Sequence, residues 1–334
     1  MIHTLEITYK IISKTMFNQI YKRLEENENK NWKAVGDDTY INKSFIEFGF
    51  NKILLSRKQV DPKYKRKLEF ITIVLNPNKL VTGNRFNIIG IEEYEKLNEK
   101  FDEFIKDIHI NLPSLAHWSM KRVDYTIDIE TPYVKEYIKL FQRGDKPSNF
   151  NELYCPISKT SKQIDGSLYL FNKSVTINFY DKENEVLSKK IDANPCKNIL
   201  RLEVQCKKSK TNYISIKNEF GNRFAKNFFD EQLSLNHIRY YYDKIIGSGD
   251  YYTLGEAIRI VEESKYTRKT KDKLIEVLKA VSKHRSIWKA RENSTYNPNC
   301  FNRYLKQIRG LGVNPVTIPE RWGIDKLENL IYVN

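Results

Sequence analysis

The sequence lacks long hydrophobic runs. No stretch of about 18 uninterrupted apolar residues occurs among its 334 residues. The first residues, MIHTLEITYKI, alternate in hydrophobicity, whereas a signal peptide begins with a basic and then an apolar segment. These absences argue against a transmembrane helix and a secreted protein, so we expect a cytoplasmic protein with no membrane partner.

Cysteines and histidines are also few. The four cysteines form no C-x-x-C pair and have no histidine at ligand spacing, which argues against a zinc site and a disulfide framework. The five histidines contain no His-hydrophobic-His motif, and we interpret them as ordinary surface or core residues. The cysteines are Cys155, Cys196, Cys206 and Cys300.

Acidic residues are too few to balance the basic ones. With 57 Lys and Arg against 42 Asp and Glu, the formal net charge is +15. A polyanion is therefore the expected partner, because phosphate neutralisation drives nucleic-acid binding. The alternative is that a Lys- and Asn-rich sequence is basic through genomic base composition alone.

Hydrophobic periodicity predicts an α+β protein with a large, mainly antiparallel sheet and helices on one face. One strand, one helix, three strands and one helix occur twice, which suggests an internal duplication. We predict segments 1–115 and 116–226 as α+β halves and 227–334 as a basic helical domain. The predicted strands are Leu5–Tyr9, Tyr40–Phe50, Lys52–Ser56, Leu68–Leu75, Arg122–Ile129, one near Leu168, Val175–Tyr180 and Ile199–Cys206. The main predicted helices are Tyr94–Ile108, Val134–Gln142, Glu231–Ile246, Leu254–Glu263, Lys271–Lys289 and Phe301–Arg309, with another around Phe17 to Leu24.

The strand RVDYTIDI carries two acids on one face, Asp124 and Asp128. They lie about 13 Å apart on a straight strand, so both can bind one ion only if the strand bends. Asp124, in mid-strand, is the better metal-ligand candidate, because a buried acid needs a partner or a metal.

A second mid-strand acid is Glu203 in NILRLEVQ, on the same face as Arg201 and Gln205. Such oxygen ligands suit Mg²⁺ or Mn²⁺. The alternative is that Arg122 and Arg201 pair with these acids on solvated strand faces.

The strand VTINFY ends in a tyrosine on its polar face, Tyr180, which Lys182 follows closely. A phenol has a pKa near 10 and needs a cation or a base to act as a nucleophile. Lys182 could lower that pKa or contact a phosphate.

Five segments in this order resemble the Rep-trans family of rolling-circle replication initiators, which also contains relaxases of conjugative elements. The resemblance covers roughly residues 65 to 210. The segments are LNPNKL (Leu75 to Leu80), KRVDYTIDI (Lys121 to Ile129), Tyr169 to Ser174, TINFYDKENE (Thr176 to Glu185) and ILRLEVQCK (Ile199 to Lys207).

The resemblance implies an HUH-nickase-like catalytic half that nicks and rejoins one DNA strand. Tyr180 would attack the DNA and keep the 5′ phosphate, with Lys182 assisting. The metal, Mg²⁺ or Mn²⁺, would lie on Asp124, Asp128 and Glu203. Arg122, Lys173 and Arg201 would contact DNA.

The implied partner is DNA, both as the origin duplex and as a single strand. A host helicase and polymerase are further expected partners, and the chain can act as a monomer or a homodimer. The rivals are a conjugative relaxase with the same chemistry and a non-catalytic, sequence-specific DNA-binding protein.

The C-terminal helices carry basic residues outside an apolar stripe. Lys283 and Arg285 belong to one helix, and Arg303 and Lys306 to the next. Two short basic helices suit duplex binding, as in a helix-turn-helix. A solvated helical face is the competing interpretation.

Overall fold

The computed structural model describes residues 1–26, 33–34, 38–61, 66–84, 86–152, 167–189 and 194–331. Cys155 lies outside these ranges. No helix within them is long and apolar enough to cross a membrane.

The protein is α+β, as predicted, and ten of its described strands form one large sheet. The strand order across that sheet is β2-β3-β4-β5-β1-β6-β10-β9-β8-β7, and β1 pairs antiparallel with both β5 and β6. The strands are β1 (Ile2–Lys10), β2 (Lys33–Ala34), β3 (Thr39–Asn42), β4 (Phe50–Asp61), β5 (Arg66–Leu75), β6 (Ser119–Glu130), β7 (Asn151–Glu152), β8 (Ser167–Phe171), β9 (Val175–Asp181) and β10 (Ile199–Cys206).

Eleven α-helices lie in the described ranges. They are α1 (Lys14–Glu26), α2 (Pro77–Thr82), α3 (Tyr94–Ile108), α4 (Val134–Phe141), α5 (Lys182–Ser188), α6 (Lys208–Lys217), α7 (Glu231–Ile245), α8 (Leu254–Glu263), α9 (Arg268–His284), α10 (Ile287–Glu292) and α11 (Pro298–Arg309). The predicted bounds of α3, α8 and β10 agree with those observed.

The two halves of the sheet have the same strand order in mirror image. The first five strands lie in the order 2-3-4-5-1. The next five lie in the order 6-10-9-8-7, which is the same pattern reversed once 6 is matched to 1 and 7–10 to 2–5.

The predicted strand Tyr40–Phe50 is wrong in its middle. Strand β3 ends at Asn42 and β4 begins at Phe50. Gly49 makes the turn between them with a φ of 95°, and a Cβ on it would lie 2.8 Å from the Leu80 nitrogen. The chain therefore reverses at a position where only glycine fits.

The predicted helix Lys271–Lys289 is two helices, α9 and α10. Arg285 ends α9 in the left-handed conformation, with a φ of 50°. The Ser286 side chain then accepts a hydrogen bond from the Lys289 N–H and caps α10. Sequence periodicity missed this break because the residue at the turn is not glycine.

Several further elements were not predicted, including α2, α5, α6, β2 and β7. Helix α5 follows β9 directly, because Asp181 accepts a hydrogen bond of 3.1 Å from the Asn184 N–H and caps the helix. In the C-terminal third, β11 (Tyr251–Tyr252) pairs antiparallel with β12 (Lys326–Leu327).

The chain divides into two compact units that are discontinuous in sequence. Unit 1 contains Met1–Ile127, Lys173–Thr176 and Glu203–His237. Unit 2 contains Asp128–Asn172, Ile177–Leu202 and Ile238–Asn334. The three consecutive segments predicted from the sequence do not coincide with this division, because residues 116–226 fall into both units.

Aromatic side chains fill both cores. In unit 1, Phe101 on α3 contacts Phe50 and Trp118, with ring centroids 6.2 and 5.4 Å away. In unit 2, Phe141 on α4 lies 6.0 Å from Phe179 and 5.9 Å from Tyr242. Each unit thus has its own apolar interior.

We predict that Asn297→Ala lowers the free energy of unfolding of unit 2 by about 1 kcal/mol. The Asn297 side chain accepts a 2.9 Å hydrogen bond from the Cys300 N–H at the start of α11, and alanine cannot replace that cap. The measurement is urea unfolding followed by far-ultraviolet circular dichroism. The matched control is Asn302→Ala, an exposed residue within α11. Equal destabilisation by both variants would contradict the capping role.

Candidate functional site

The first charge cluster lies in unit 1 around Asp124. This side chain is fully buried on β6, where Val123 and Tyr125 on the opposite face are buried as well. Arg122 donates two hydrogen bonds to its carboxylate, of 2.7 Å from Nε and 2.5 Å from Nη2. Asp124 is therefore paired, but in the interior rather than on a solvated strand face.

Glu203 on β10 belongs to the same unit and is also buried. Its Oε2 lies 3.6 Å from Nδ1 of His3, and its Oε1 accepts a 2.7 Å hydrogen bond from Gln205. His3 occupies an irregularity in the pairing of β1 with β6, between the partners Ile2↔Tyr125 and Thr4↔Asp124. An extra residue there redirects a side chain, as β-bulges do.

Electrostatics in this cluster favour an added positive charge. Burial raises the pKa of Asp124 to about 7, and Arg122 only partly opposes that rise. The negative charges of Glu203 and Glu6 raise it further. Burial alone would lower the pKa of Arg122, but Asp124 outweighs that effect and the pKa is raised.

The donor set of this cluster suits a divalent cation only in part. Two buried carboxylates repel each other, and a neighbouring imidazole adds a nitrogen donor, as in many metal sites. However, no group of three or more His, Cys, Asp or Glu side chains in the described ranges is arranged to hold a metal ion. Metal binding at Asp124 would require Arg122 to release the carboxylate.

Asp128, the third predicted ligand, is paired with Arg201 in unit 2. The Arg201 Nε and Nη2 atoms each donate a 2.6 Å hydrogen bond to the Asp128 carboxylate. Arg201 is completely buried, whereas the Asp128 side chain is 26% exposed. The predicted ligands thus divide between the two units, with Asp124 and Glu203 in unit 1 and Asp128 in unit 2.

The second charge cluster, in unit 2, surrounds Tyr180 at the end of β9. Tyr180 is only 7% exposed. Lys182 is buried too, with its Nζ 5.9 Å from the centre of the Tyr180 ring and 2.8 Å from a Glu185 oxygen. Burial and then the charge of Arg201 lower the pKa of Lys182, while Glu185 opposes this. A phenol, an amine and a guanidinium therefore share one neighbourhood.

The predicted DNA contacts differ in their exposure. Arg122 and Arg201 have carboxylate partners, so a phosphate would have to compete with Asp124 or Asp128 for them. The other predicted contacts are exposed on the surfaces of their own units, and these are Lys173, Lys283, Arg285, Arg303 and Lys306.

Sequence reasoning missed two residues beside the predicted ligands, His3 and Glu6. The sequence predicts an ordinary surface or core residue at His3, yet its imidazole contacts Glu203. Glu6 stands opposite Arg122 in the β1–β6 register and pairs with Lys121 at 2.7 Å. Strand alternation in β1 does place Thr4 and Glu6 on one face. A single sequence does not show, however, that β1 pairs with β6.

Comparison with known proteins adds no family assignment. No protein-family model matches the chain. No curated protein matches it either.

We predict that Asp124→Asn changes how stability depends on pH. The carboxyl has an unfolded pKa of about 4 and a folded pKa of about 7. The folded state holds the proton more tightly, so this group's contribution to stability is complete below about pH 4 and is lost as pH rises towards 7. Asparagine does not ionise, so the free energy of unfolding of the variant falls less between pH 4 and 8 than that of the wild type.

The measurement is the urea midpoint at several pH values with a chelator present. At low pH the variant is expected to resemble the wild type, because asparagine is neutral like the protonated carboxyl, and the two profiles are expected to diverge as the pH rises towards 8. Asp38→Asn is the control, because its pair with Lys67 is partly exposed and Asp38 is not among the charges that shift the pKa of Asp124. Parallel pH profiles for wild type and Asp124→Asn would contradict the raised pKa.

Proposed function

We propose that this protein initiates rolling-circle replication by nicking and rejoining one DNA strand through a 5′-phosphotyrosine intermediate. The observation that carries the proposal is the second charge cluster, in which Lys182 lies 5.9 Å from the centre of the Tyr180 ring and is itself close enough to Arg201 for that charge to lower its pKa. The order of the five family-like segments supports the same function. We expect DNA as the partner, with a host helicase and polymerase acting on the product.

The chemistry proposed for Tyr180 is a transesterification. Its phenolic oxygen forms a bond to the phosphorus of the scissile phosphodiester, and the bond from phosphorus to the 3′ oxygen breaks. The phenolic proton leaves Tyr180, and the departing 3′ oxygen gains a proton. The phosphodiester energy is kept in the new bond, so the reverse attack by a 3′ hydroxyl rejoins the strand without ATP.

The surroundings of Tyr180 favour ionisation of its phenol but also cover the side chain. A positive charge beside a phenol favours its ionised form, and Lys182 is held in position by Glu185. Because Tyr180 is nearly covered, attack on DNA requires displacement of the side chains that cover it. Lys182 could then neutralise the phosphate that enters, whereas Arg201 could do so only after releasing Asp128.

Mg²⁺ or Mn²⁺ is the cofactor we propose; Asp124 and Glu203 would hold it once Arg122 has released the Asp124 carboxylate, with His3 as an additional donor. Such an ion supplies polarisation of phosphoryl oxygens when bound. The mutual repulsion of the two buried carboxylates supports this assignment, because a cation relieves it. Asp128 is a weaker candidate, since Arg201 already neutralises it.

We also propose that the α+β part arose by internal duplication, with an HUH-nickase-like second half. The support is the strand order, in which five strands and the next five form mirror-image series. Strands β1 and β6 then correspond, as do β5 and β10. The carboxylates Asp124 and Glu203 lie on the second member of each pair.

One observation favours a different function, a non-catalytic, sequence-specific DNA-binding protein. The pairing of Arg122 with Asp124 and of Arg201 with Asp128 is what structural ion pairs would produce. A conjugative relaxase shares the nicking chemistry, and the two differ only in whether the nicked sequence supports plasmid copying or transfer.

We predict that the wild-type protein forms a detergent-stable adduct with DNA and that Tyr180→Phe forms at least about 1,000-fold less, because the nucleophilic oxygen is gone. The substrate is a pool of single-stranded oligonucleotides of random sequence, incubated with Mn²⁺. Adducts are isolated in detergent and their DNA is sequenced, which also identifies the target. Tyr169→Phe, on β8 of the same unit, is the matched control and is expected to behave as the wild type.

Three outcomes of this experiment are distinct. An adduct with wild type and control only supports the tyrosine mechanism. An adduct that persists in Tyr180→Phe shows that another tyrosine is the nucleophile. Sequence-selective binding without any adduct favours the non-catalytic alternative.

We predict that Mn²⁺ raises the thermal unfolding temperature of the wild-type protein in the absence of DNA, because a ligand that binds the folded state stabilises it. Glu203→Gln should abolish the rise, and His3→Gln should reduce it. Asp38→Asn is the control, since this carboxylate forms a partly exposed pair with Lys67 in unit 1. An equal rise in all four proteins would place the ion elsewhere.

A further inference from the structure

Unit 2 contains a cavity of about 390 Å³ at the C-terminal end of α9. Three arginines line it together with two hydroxyl side chains and one carboxylate. They are Arg143, Arg285, Arg321, Ser282, Thr317 and Glu320. None of these residues belongs to the two charge clusters described above.

The three arginines are close enough to repel one another. Burial lowers the pKa of Arg143, and the charges of Arg285 and Arg321 lower it further. In the described part of the chain no carboxylate forms an ion pair with any of the three, and Glu320 at the cavity is exposed. A cavity that concentrates uncompensated guanidinium groups favours an anion, and a phosphate can accept several of their hydrogen bonds.

Backbone geometry holds the arginines in place. The Ile287 N–H donates a 2.9 Å hydrogen bond to the Arg143 carbonyl, which joins the end of α4 to the start of α10. Arg143 also donates a 3.5 Å hydrogen bond from Nη1 to the Thr317 carbonyl. The guanidinium of Arg143 is thereby directed into the cavity.

Arg285 occupies a backbone position that normally selects glycine. With a φ of 50° and a ψ of 33°, it is the left-handed residue at the end of α9. A side chain with a Cβ is disfavoured in that region. Strained residues of this kind concentrate at functional sites, which points to a role for the arginine side chain.

One partly exposed tryptophan lies beside Arg143, and a second in the same unit has lysines over its ring. Trp322 follows Arg321 and has Lys139 and Arg143 each 5.9 Å from its ring centre. Trp288 has Lys146 at 4.0 Å and Lys289 at 5.3 Å. Proteins that bind single-stranded nucleic acids combine aromatic rings with basic groups, because the bases stack on the rings and the phosphates pair with the cations.

We propose that this arginine cavity is a binding site for single-stranded DNA, with a backbone phosphate between Arg143, Arg285 and Arg321 and a base on Trp322. A duplex fits less well, because its bases are already stacked and cannot reach the indole. The site is separate from the proposed nicking chemistry, so it does not depend on Tyr180 as the nucleophile.

The test measures anisotropy of a labelled 12-nucleotide oligothymidine at several salt concentrations. All proteins carry Tyr180→Phe, so that binding is separated from strand cleavage. We expect Arg285→Gly to weaken binding at least tenfold and to reduce the salt dependence. The unfolding temperature should stay the same or rise, because glycine suits the left-handed backbone. Trp322→Leu should weaken binding without changing the salt dependence.

The control is Lys269→Gln, which removes one positive charge from the exposed start of α9. It should change the affinity less than twofold. Equal losses in Arg285→Gly and Lys269→Gln would overturn the proposal, because they would show nonspecific attraction to a basic surface.

Competition identifies the source of the phosphate. Inorganic phosphate and thymidine monophosphate should compete only weakly, and duplex DNA should bind less tightly than the single strand. Competition by either small molecule at the concentration of the oligonucleotide would overturn the proposal in favour of a free-phosphate site. Equal binding of duplex would overturn the assignment to single strands.

Discussion

The burial of charged side chains in the sheet is the constraint on which the rest of this structure depends. A carboxylate removed from water is stable only when a partner neutralises it or when it takes up a proton. Asp124 does both in part, through Arg122 and through a raised pKa. Arg201 meets the same constraint from the other side, because its buried guanidinium requires Asp128. Each of these strands therefore carries pairs rather than single charges.

This constraint separates two kinds of polar position. Pairs such as Arg201 with Asp128 are internally balanced and need nothing further to be stable. Asp124, Glu203 and Glu6 form a group of three carboxylates with two cationic partners. Arg122 pairs with Asp124, and Lys121 pairs with Glu6. The arginine cavity of unit 2 has the opposite imbalance, with guanidinium groups that have no carboxylate partner in the described residues. Sites with an imbalance are where a ligand has most to contribute.

Much of the fold was predictable from periodicity. Helices α3 and α8 and strand β10 have clear patterns of 3.6 or 2 residues, and their bounds agree with the sequence prediction. The failures lie at turns, where one residue decides the path. Gly49 interrupts a strand-like run, and Arg285 interrupts a helical stripe without any glycine to reveal it. Side-chain caps at Asp181 and Ser286 were equally invisible in the hydrophobic pattern.

The candidate site was predictable as residue types but not as a constellation. Strand alternation placed Arg122 with Asp124, and Gln205 with Glu203, on the same strand faces, and the structure shows both pairs in contact. Another contact of Glu203 comes from a strand distant in sequence, so His3 could not be placed beside it from spacing alone. The division into units was also hidden, because it separates neighbouring residues such as Leu202 and Glu203 on one strand.

The ends of the sheet carry a consequence for association between copies of the chain. Among the described residues, its outermost strands are β2 and β7, with two residues each. Described strands this short present few free backbone groups, and natural sheets use short edges to limit continuation into a neighbouring molecule. The part of the sheet that the structure describes therefore favours contact between copies through side chains over pairing of strand with strand.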